Sequence, residues 1–564
     1  MQTDPAGPST DSIRVDSVLA TATQLTVEAE IECTAPRAEA TQVLVGSWPL
    51  ADTMNGFVTY DAGQTDGLET AGYFGGIFDG RYAYFAPQCN STGRHGQALR
   101  YDTLGPFTAA ASWNGYDASA TGGLATRGYY GALFDGRYIY YVPRTDGQTH
   151  HSRILRLDSC GPFDNPDSWT AHDAGVAVSY QGGAFDGRYL YLAPGYRQDH
   201  GSSGLVLRYD TAAAFGQPDA CSFFDAAIVG PDCVCYDGAV FDGRHVYFAP
   251  LERGVALRHD AAADFADPFS WQAHDMRLVG GLTAGTCVGA VFDGRFIYYV
   301  PYAHSVVVRF DTATDFDDPS GWQSYDAAGT SGLPCRGYDG AAFDGRYIYF
   351  IPFWNGDANG GGFHAQLLRY DTCQDFTTAS AWQAADGSSL APPNPGGFNG
   401  GLFDGRFLYM IPWRCDAVGS EIAAHGHVLR YDTAATAASF SLKYSDCGHN
   451  GGLGGALPGP VFTVNTGTGP VSAQAHCPPP AGRHVLTGTY DGRRARLLLD
   501  GQVIGERDGG GTLVAPAVAL TVGSLAGGAA AFTGSILRVR LAATAISAGT
   551  LADGDAPVAW QAFV

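Results

Sequence analysis

Hydrophobic positions in this chain fall in short runs, and the runs recur. The clearest block reads a small-residue pair, a Phe, the turn Asp-Gly-Arg, and then an aromatic run closed by Pro. Phe-Asp-Gly-Arg stands at Phe78, Phe134, Phe185, Phe241, Phe292, Phe343 and Phe403, with spacings of 56, 51, 56, 51, 51 and 60 residues. Tyr347 to Pro352 and Phe296 to Pro301 are two of the aromatic runs. Runs of this length, rich in Tyr, Phe, Ile and Val and bounded by Gly and Pro, predict strands, and Asp-Gly between two of them predicts a tight hairpin. No long helical periodicity is present.

Two more segments complete each repeat. One ends in Arg-Tyr-Asp or a close variant, at Asp102, Asp158, Asp210, Asp260, Asp311, Asp371 and Asp432. The other reads Trp-x-x-Tyr/His-Asp, from Trp113, Trp169, Trp271 and Trp322, with weaker versions near Phe223 and Trp382. Each repeat is therefore four strands, A to D: the small-residue strand, the aromatic run, the Arg-Tyr-Asp strand and the Trp strand. Four strands at a period of 50–60 residues make a propeller blade. The chain is expected to be all-β, a seven-bladed β-propeller spanning residues 51–435. The last blade lacks its own Trp strand, whereas Gly56 to Asp61 matches one and has no blade of its own. The ring is expected to close by pairing that early segment with the last blade, which leaves no exposed strand edge. The Arg after each turn and the Asp ending strand C should form seven ion pairs at one rim, of the kind Arg81–Asp102 and Arg346–Asp371.

Residues 1–50 and 436–564 flank the ring. Arg483 to Arg493 carries Tyr-Asp-Gly, Ala495 to Val503 carries Leu-Leu-Asp-Gly, and Gly534-Ser-Ile536 comes near the end. With Leu25 to Ile31 as an early strand, these segments resemble the late and early strands of the laminin G-like, or concanavalin A-like, jelly roll. The resemblance covers about 170 residues in two pieces and implies a β-sandwich into which the propeller is inserted. Members of that family often bind glycans, sometimes through calcium, but no calcium or sugar-binding residue set maps onto this chain.

Charge and composition remove some functions. The formal net charge is −23, spread along the chain, which excludes the basic footprint a nucleic-acid partner needs. There is no apolar run of 18 residues, so no membrane span is expected. Residues 1–12 lack the pattern of a signal peptide, so either the chain is cytosolic or a leader has been removed. Twelve cysteines, an even number, lean toward an oxidising compartment and a secreted or cell-surface protein.

Positions constant in all seven repeats hold the blades together, so function is sought where they vary. The two residues before the small pair of strand A are Tyr73-Phe74, Tyr129-Tyr130, Tyr180-Gln181, Tyr236-Asp237, Cys287-Val288, Tyr338-Asp339 and Phe398-Asn399. They should line the funnel near the axis, with Trp354 and Trp413 from the loops between strands B and C. Asp237 and Asp339 are either paired carboxylates for acid–base work or a cation, or solvated loop residues. His95, His151, His304, His364 and His425 stand five residues before the strand C Arg. They read as histidines bonded to loop carbonyls or, from a subset, as a metal site. Cys233, Cys235, Cys287 and Cys335 precede strand A in three consecutive blades, and Cys89 and Cys415 lie in neighbouring loops. Both groups read as disulfides, with a soft metal on Cys233, Cys235 and Cys287 as the alternative. Any cofactor would then be a metal ion, calcium or a transition metal.

No Gly-x-Ser-x-Gly, phosphate loop or His-Glu-x-x-His is present. The expectation is an extracellular ligand-binding protein that takes a polysaccharide or small polar ligand in the funnel. The alternatives are a metal-dependent or glycan-cleaving enzyme at the same place, and a structural or adhesive module.

Overall fold

The computed structural model describes residues 54, 56–356, 362–388, 396–416 and 422–433 of the repeat region. Of the flanks it describes residues 13–14, 25–33, 42–47, 440–446, 458–466, 469–475, 482–509, 519–522, 535–542 and 558–563. Residues 1–12 and the side chain of Cys415 lie outside the described residues. Among the described residues no helix is long and apolar enough to cross a membrane.

The repeats form seven four-stranded antiparallel sheets. The first is built from Tyr73–Phe78, Tyr82–Pro87, Gln97–Asp102 and Trp113–Asp117, and five more follow in chain order. The seventh consists of Phe398–Phe403, Phe407–Pro412, His427–Asp432 and, as its outer strand, Phe57–Asp61, with Tyr431 opposite Phe57 and His427 opposite Asp61. Strand A of each sheet lies beside strand A of the next, and Phe398–Phe403 lies beside Tyr73–Phe78, so the sheets form a closed ring. This is a β-propeller closed by the early strand.

Repeated residues account for the blade. At each hairpin a glycine holds φ near +100°, from +93° at Gly243 to +105° at Gly294, where an L side chain is strained. The Asp before it satisfies the turn. In blade one Asp79 Oδ1 accepts from the backbone N–H of Arg81 (2.8 Å) and Tyr82 (2.6 Å), while Oδ2 accepts from the Tyr84 hydroxyl at 2.9 Å. The same three bonds recur at Asp135, Asp186, Asp242, Asp293, Asp344 and Asp404. All seven expected ion pairs are present, at 2.7–2.9 Å.

Other repeated residues join blade to blade. In five blades the strand C Arg lies over the strand B aromatic of its own blade and over a Phe of the next. Arg100 sits 4.3 Å from the Tyr82 ring and 4.6 Å from Phe163, and Arg430 of blade seven closes the ring on Phe107 at 4.4 Å. The Trp strand explains its own pattern. Its fourth residue stacks on the Trp of the next blade, Tyr116 on Trp169, His274 on Trp322 and Tyr325 on Trp382, at 5.1, 4.2 and 4.6 Å. Pairs of this kind stabilise by about 0.5–1.5 kcal/mol each beyond their buried area. In blade three Cys221 takes the place of the Trp, opposite Tyr209.

The flanking segments form two six-stranded antiparallel sheets. Leu25–Cys33 lies between Gly482–Tyr490 and Ser535–Ala542, so the early chain is intercalated among late strands. Gly488 of this sheet faces the Phe462 ring of the other, where a side chain on Gly488 would collide with it. The sheets abut the hairpin rim of the propeller: Arg507 donates to the Gly80 carbonyl at 2.6 Å and Arg406 to that of Thr466 at 3.5 Å.

Candidate functional site: a cavity on the propeller axis

The end of the ring opposite the hairpins is shaped by a second glycine position. The first Gly of each strand A pair has positive φ, from +64° at Gly75 to +85° at Gly289. Every A strand breaks register with strand B there. This is a β-bulge, which re-aims side chains. The residue two before the Gly stays paired, as Tyr129 does with Pro143. The residue immediately before it faces the axis.

Those axial residues converge. Phe74, Tyr130, Gln181, Asp237, Val288, Asp339 and Asn399, one per blade, line a single cavity of about 580 Å³. Its wall is completed by residues that follow the Pro of strand B: Gln88, Arg144, Tyr196, Leu251, Tyr302, Phe353 and Trp413. An aromatic face runs through it, with Phe74 4.5 Å from Tyr130 and 4.6 Å from Trp413, and Phe353 5.4 Å from Trp413 and 5.8 Å from Tyr302.

The polar floor is buried and only partly satisfied. Asp237 and Asp339 are each 2% exposed, and Gln181 and Asn399 1%. Tyr130 donates to Asp237 Oδ2 at 2.7 Å, Gln181 to the same oxygen at 3.3 Å, and Asn399 to Asp339 Oδ2 at 2.6 Å. The Oδ1 atoms of Asp237, Asp339 and Asn399, Gln181 Oε1 and Gln88 Nε2 have no partner among the described residues. Leaving such groups unpaired costs about 1–3 kcal/mol each, so five around one cavity mark a site built for something else to bond. Burial pushes Asp237 up to about 7, against the pull of the Tyr130 hydroxyl and Arg144. Burial and then the Asp237 charge push Asp339 well above the carboxylate range. The pair therefore holds a proton near neutral pH.

The structure separates residues that the sequence groups together. Tyr73, Tyr129, Tyr180, Tyr236 and Tyr338 are fully buried in cores between blades and do not line the cavity. They occupy the paired position before the bulge, whereas Tyr130, Gln181, Asp237, Asp339 and Asn399 occupy the axial one. Trp413 lines the cavity but Trp354 does not; its neighbour Phe353 does, because adjacent residues of extended chain point to opposite sides.

The five histidines lie in the loops before strand C, each with its ring bonded to the backbone. Nδ1 of His95, His151, His304, His364 and His425 accepts a backbone N–H two residues on, at 3.1–3.3 Å. Nε2 of His151 meets the Arg127 carbonyl at 2.9 Å, and that of His364 the Gly337 carbonyl at 3.0 Å. Burial pushes His95, His151, His364 and His425 down to about 4, which keeps them neutral. Among the described residues no three His, Cys, Asp or Glu side chains gather as a metal site.

The cysteines are not paired as expected. Cys89, Cys233, Cys235, Cys287 and Cys335 are free thiols. Cys233, Cys287 and Cys335 sit in three different interblade cores, under Tyr236, beside Tyr299 and under Tyr338, so a blade separates each from the next. Burial pushes Cys235 up to about 12. Thiols so held are poor metal ligands.

No family model matches the chain, and no curated protein matches it. Among solved structures, the β-propeller domain of Cps50 (Swd1) from Myceliophteria thermophila aligns at a TM-score of 0.40 and 10% identity, covering 67% of this chain and 99% of that one. The dihydro-heme d1 dehydrogenase NirN, in complex with DHE, aligns at 0.37 and 16%, covering 76% and 82%. A structure of a nidogen/laminin complex aligns at 0.31 and 12%, covering 52% and 94%. At these scores the propeller rests on the seven sheets of the chain itself.

Proposed function

We propose that this protein binds a saccharide in the axial cavity. The observation that carries the reading is five unpartnered buried polar atoms set beside a continuous aromatic face. Sugar rings offer apolar faces that stack on aromatics and hydroxyls that both donate and accept. Asp237, Asp339, Gln181, Asn399 and Gln88 would take the hydroxyls, and Phe74, Tyr302, Phe353 and Trp413 the ring faces. The two six-stranded sheets are read as one laminin G-like jelly roll, residues 1–50 with 436–564, around a propeller of residues 51–435. Leu25–Cys33 lying between late strands supports that reading, as does the pairing of Phe57–Asp61 with His427–Asp432, by which the chain leaves and re-enters the propeller in one blade. A secreted or surface protein suits a glycan ligand.

The whole chain is expected to bind members of a glycan array. Asp237→Ala with Asp339→Ala should weaken the best of them at least about tenfold while the melting transition is retained. Unchanged binding by a folded double variant sinks the reading.

Cleavage is the second reading, favoured by one observation. Asp237 and Asp339 are two buried carboxyls lining one cavity, both raised by burial, so that the pair holds a proton near neutral pH as the acid of a glycoside hydrolase must. Release of reducing ends from the bound glycan, lost in Asp339→Asn with affinity kept, would establish it.

A further inference from the structure

Three guanidinium groups stand at the cavity with no carboxylate partner among the described residues. Arg94 comes from the loop of blade one, Arg144 follows Pro143 of blade two, and Arg414 follows Trp413 of blade seven. Those three blades are consecutive in the closed ring. Arg144 lies 5.2 Å from the Phe74 ring and 4.8 Å from Tyr130, and Arg414 lies 4.6 Å from Trp413. The cations are thus laid along the same aromatic face. Arg94 Nη1 is buried and has no partner among the described residues. Burial pushes Arg94 down to about 10, and the charges of Arg144 and Arg414 act in the same direction. By contrast, the seven turn arginines all have a carboxylate within 2.9 Å.

The acidic groups at the cavity answer them only in part: Arg144 pulls on Asp237 and Asp339 without an ion pair among the described residues. Glu252 projects from blade four, three blades from blade one, and is held by Tyr196 (2.9 Å) and Ser202 (2.6 Å). The Asp237–Asp339 pair retains a proton. A chain of formal charge −23 therefore presents a local cationic wall, with Arg forks able to take two oxygens of one acidic group.

Resting on the saccharide reading above, we propose that the sugar taken is acidic. Arg94, Arg144 and Arg414 hold its carboxylate or sulfate group, while its hydroxyls reach Asp237, Asp339 and Asn399.

Titration calorimetry on the full chain would use three probes: tetragalacturonate, its methyl ester, and a sulfated galactan tetrasaccharide. At least one acidic probe is expected to bind about tenfold or more tighter than the ester, and to weaken as salt rises. Which acidic probe wins tells carboxylate from sulfate. Arg144→Gln and Arg414→Gln should each weaken the acidic probe about tenfold and the ester less than about twofold. Arg144→Lys, which keeps the charge, should recover part of the loss; recovery with an unchanged melting transition separates lost charge from lost fold. If the ester binds as tightly as the acids, or the Arg variants weaken both alike, the acidic proposal fails and the saccharide reading stands. If no sugar binds and only inorganic phosphate or citrate does, the saccharide reading fails. No binding by any probe overturns both.

Discussion

The two ends of this propeller are built from the same repeat and differ in how they are satisfied. At the hairpin rim the residues are nearly invariant between blades, and each carboxylate has its donors: Asp79 and its six equivalents take three bonds apiece, and each turn Arg has its Asp. At the axial end the equivalent positions run Phe, Tyr, Gln, Asp, Val, Asp, Asn, and five polar atoms are left over. Sevenfold repetition lets one solution satisfy a rim seven times. A cavity on the axis is shared by all seven blades, so it is written once, from different residues. Repetition with paired carboxylates builds the hairpin rim, and variation with incomplete pairing around one cavity marks where a ligand belongs.

The sharpest way to break that contrast is to delete one carboxylate at each end. Asp344 is 4% exposed and accepts from the N–H groups of Arg346 and Tyr347 and the hydroxyl of Tyr349, at 2.8, 2.7 and 2.9 Å. Asp344→Ala removes three buried hydrogen bonds to a carboxylate and should cost about 4 kcal/mol. Chemical denaturation measures this, and affinity at the other end of the ring should be unchanged in the folded fraction.

The axial carboxylate should respond with the opposite sign. Asp237 is raised from its usual value to about 7 in the folded chain. The folded state therefore holds a proton that the unfolded chain releases near pH 4. That stabilisation is complete below about pH 4 and is lost as pH climbs toward 7. Asp237→Asn removes the titration, so its stability relative to the parent should rise through that window, by about 4 kcal/mol between pH 4 and pH 8. The buried histidines run the other way, because their values are depressed: their contribution is present above pH 6.5 and lost as pH falls toward 4. Parent and variant share that slope, so their difference isolates the Asp237–Asp339 pair. A variant less stable than its parent at pH 8 would mean the axial end is paired like the rim.

Much of this was legible in the residues. Phe-Asp-Gly-Arg counted the blades, and the unmatched Gly56 to Asp61 segment located the closure. The Arg and Asp of the rim could be paired because both recur in every copy. The axial pair Asp237 and Asp339 was visible as variation at a fixed offset from the Gly pair. The bulge at that Gly was not recognised, and without it Tyr73 and Phe74 read alike, although one enters a core and the other the cavity. A second signal lay in the residue after the strand B Pro, which varies through Gln88, Arg144, Leu251, Tyr302, Phe353 and Trp413. Trp354 is the more conspicuous side chain in the sequence, but Phe353 beside it is the residue that lines the cavity. The cysteines misled because nearness to one rim was read as nearness to each other, and a blade of packed aromatics intervenes.

The smallest effect tests whether the rim is uniform in energy as it is in sequence. Arg81–Asp102 and Arg346–Asp371 are the same pair, at 2.7 and 2.8 Å, yet the Arg side chains are 49% and 15% exposed. Water around Arg81 screens the attraction and solvates each partner when the other is removed, so a double-mutant cycle with alanine there should give about 0.5 kcal/mol. Around Arg346 the screening is weaker, and coupling should reach about 1.5 kcal/mol, with each single substitution costing more than the coupling because a charge is left buried. Equal couplings in the two blades would mean that geometry alone, which the repeat copies faithfully, sets the strength of the rim. Unequal ones would show that identical residues in identical bonds stabilise different blades differently, according to how much water reaches each.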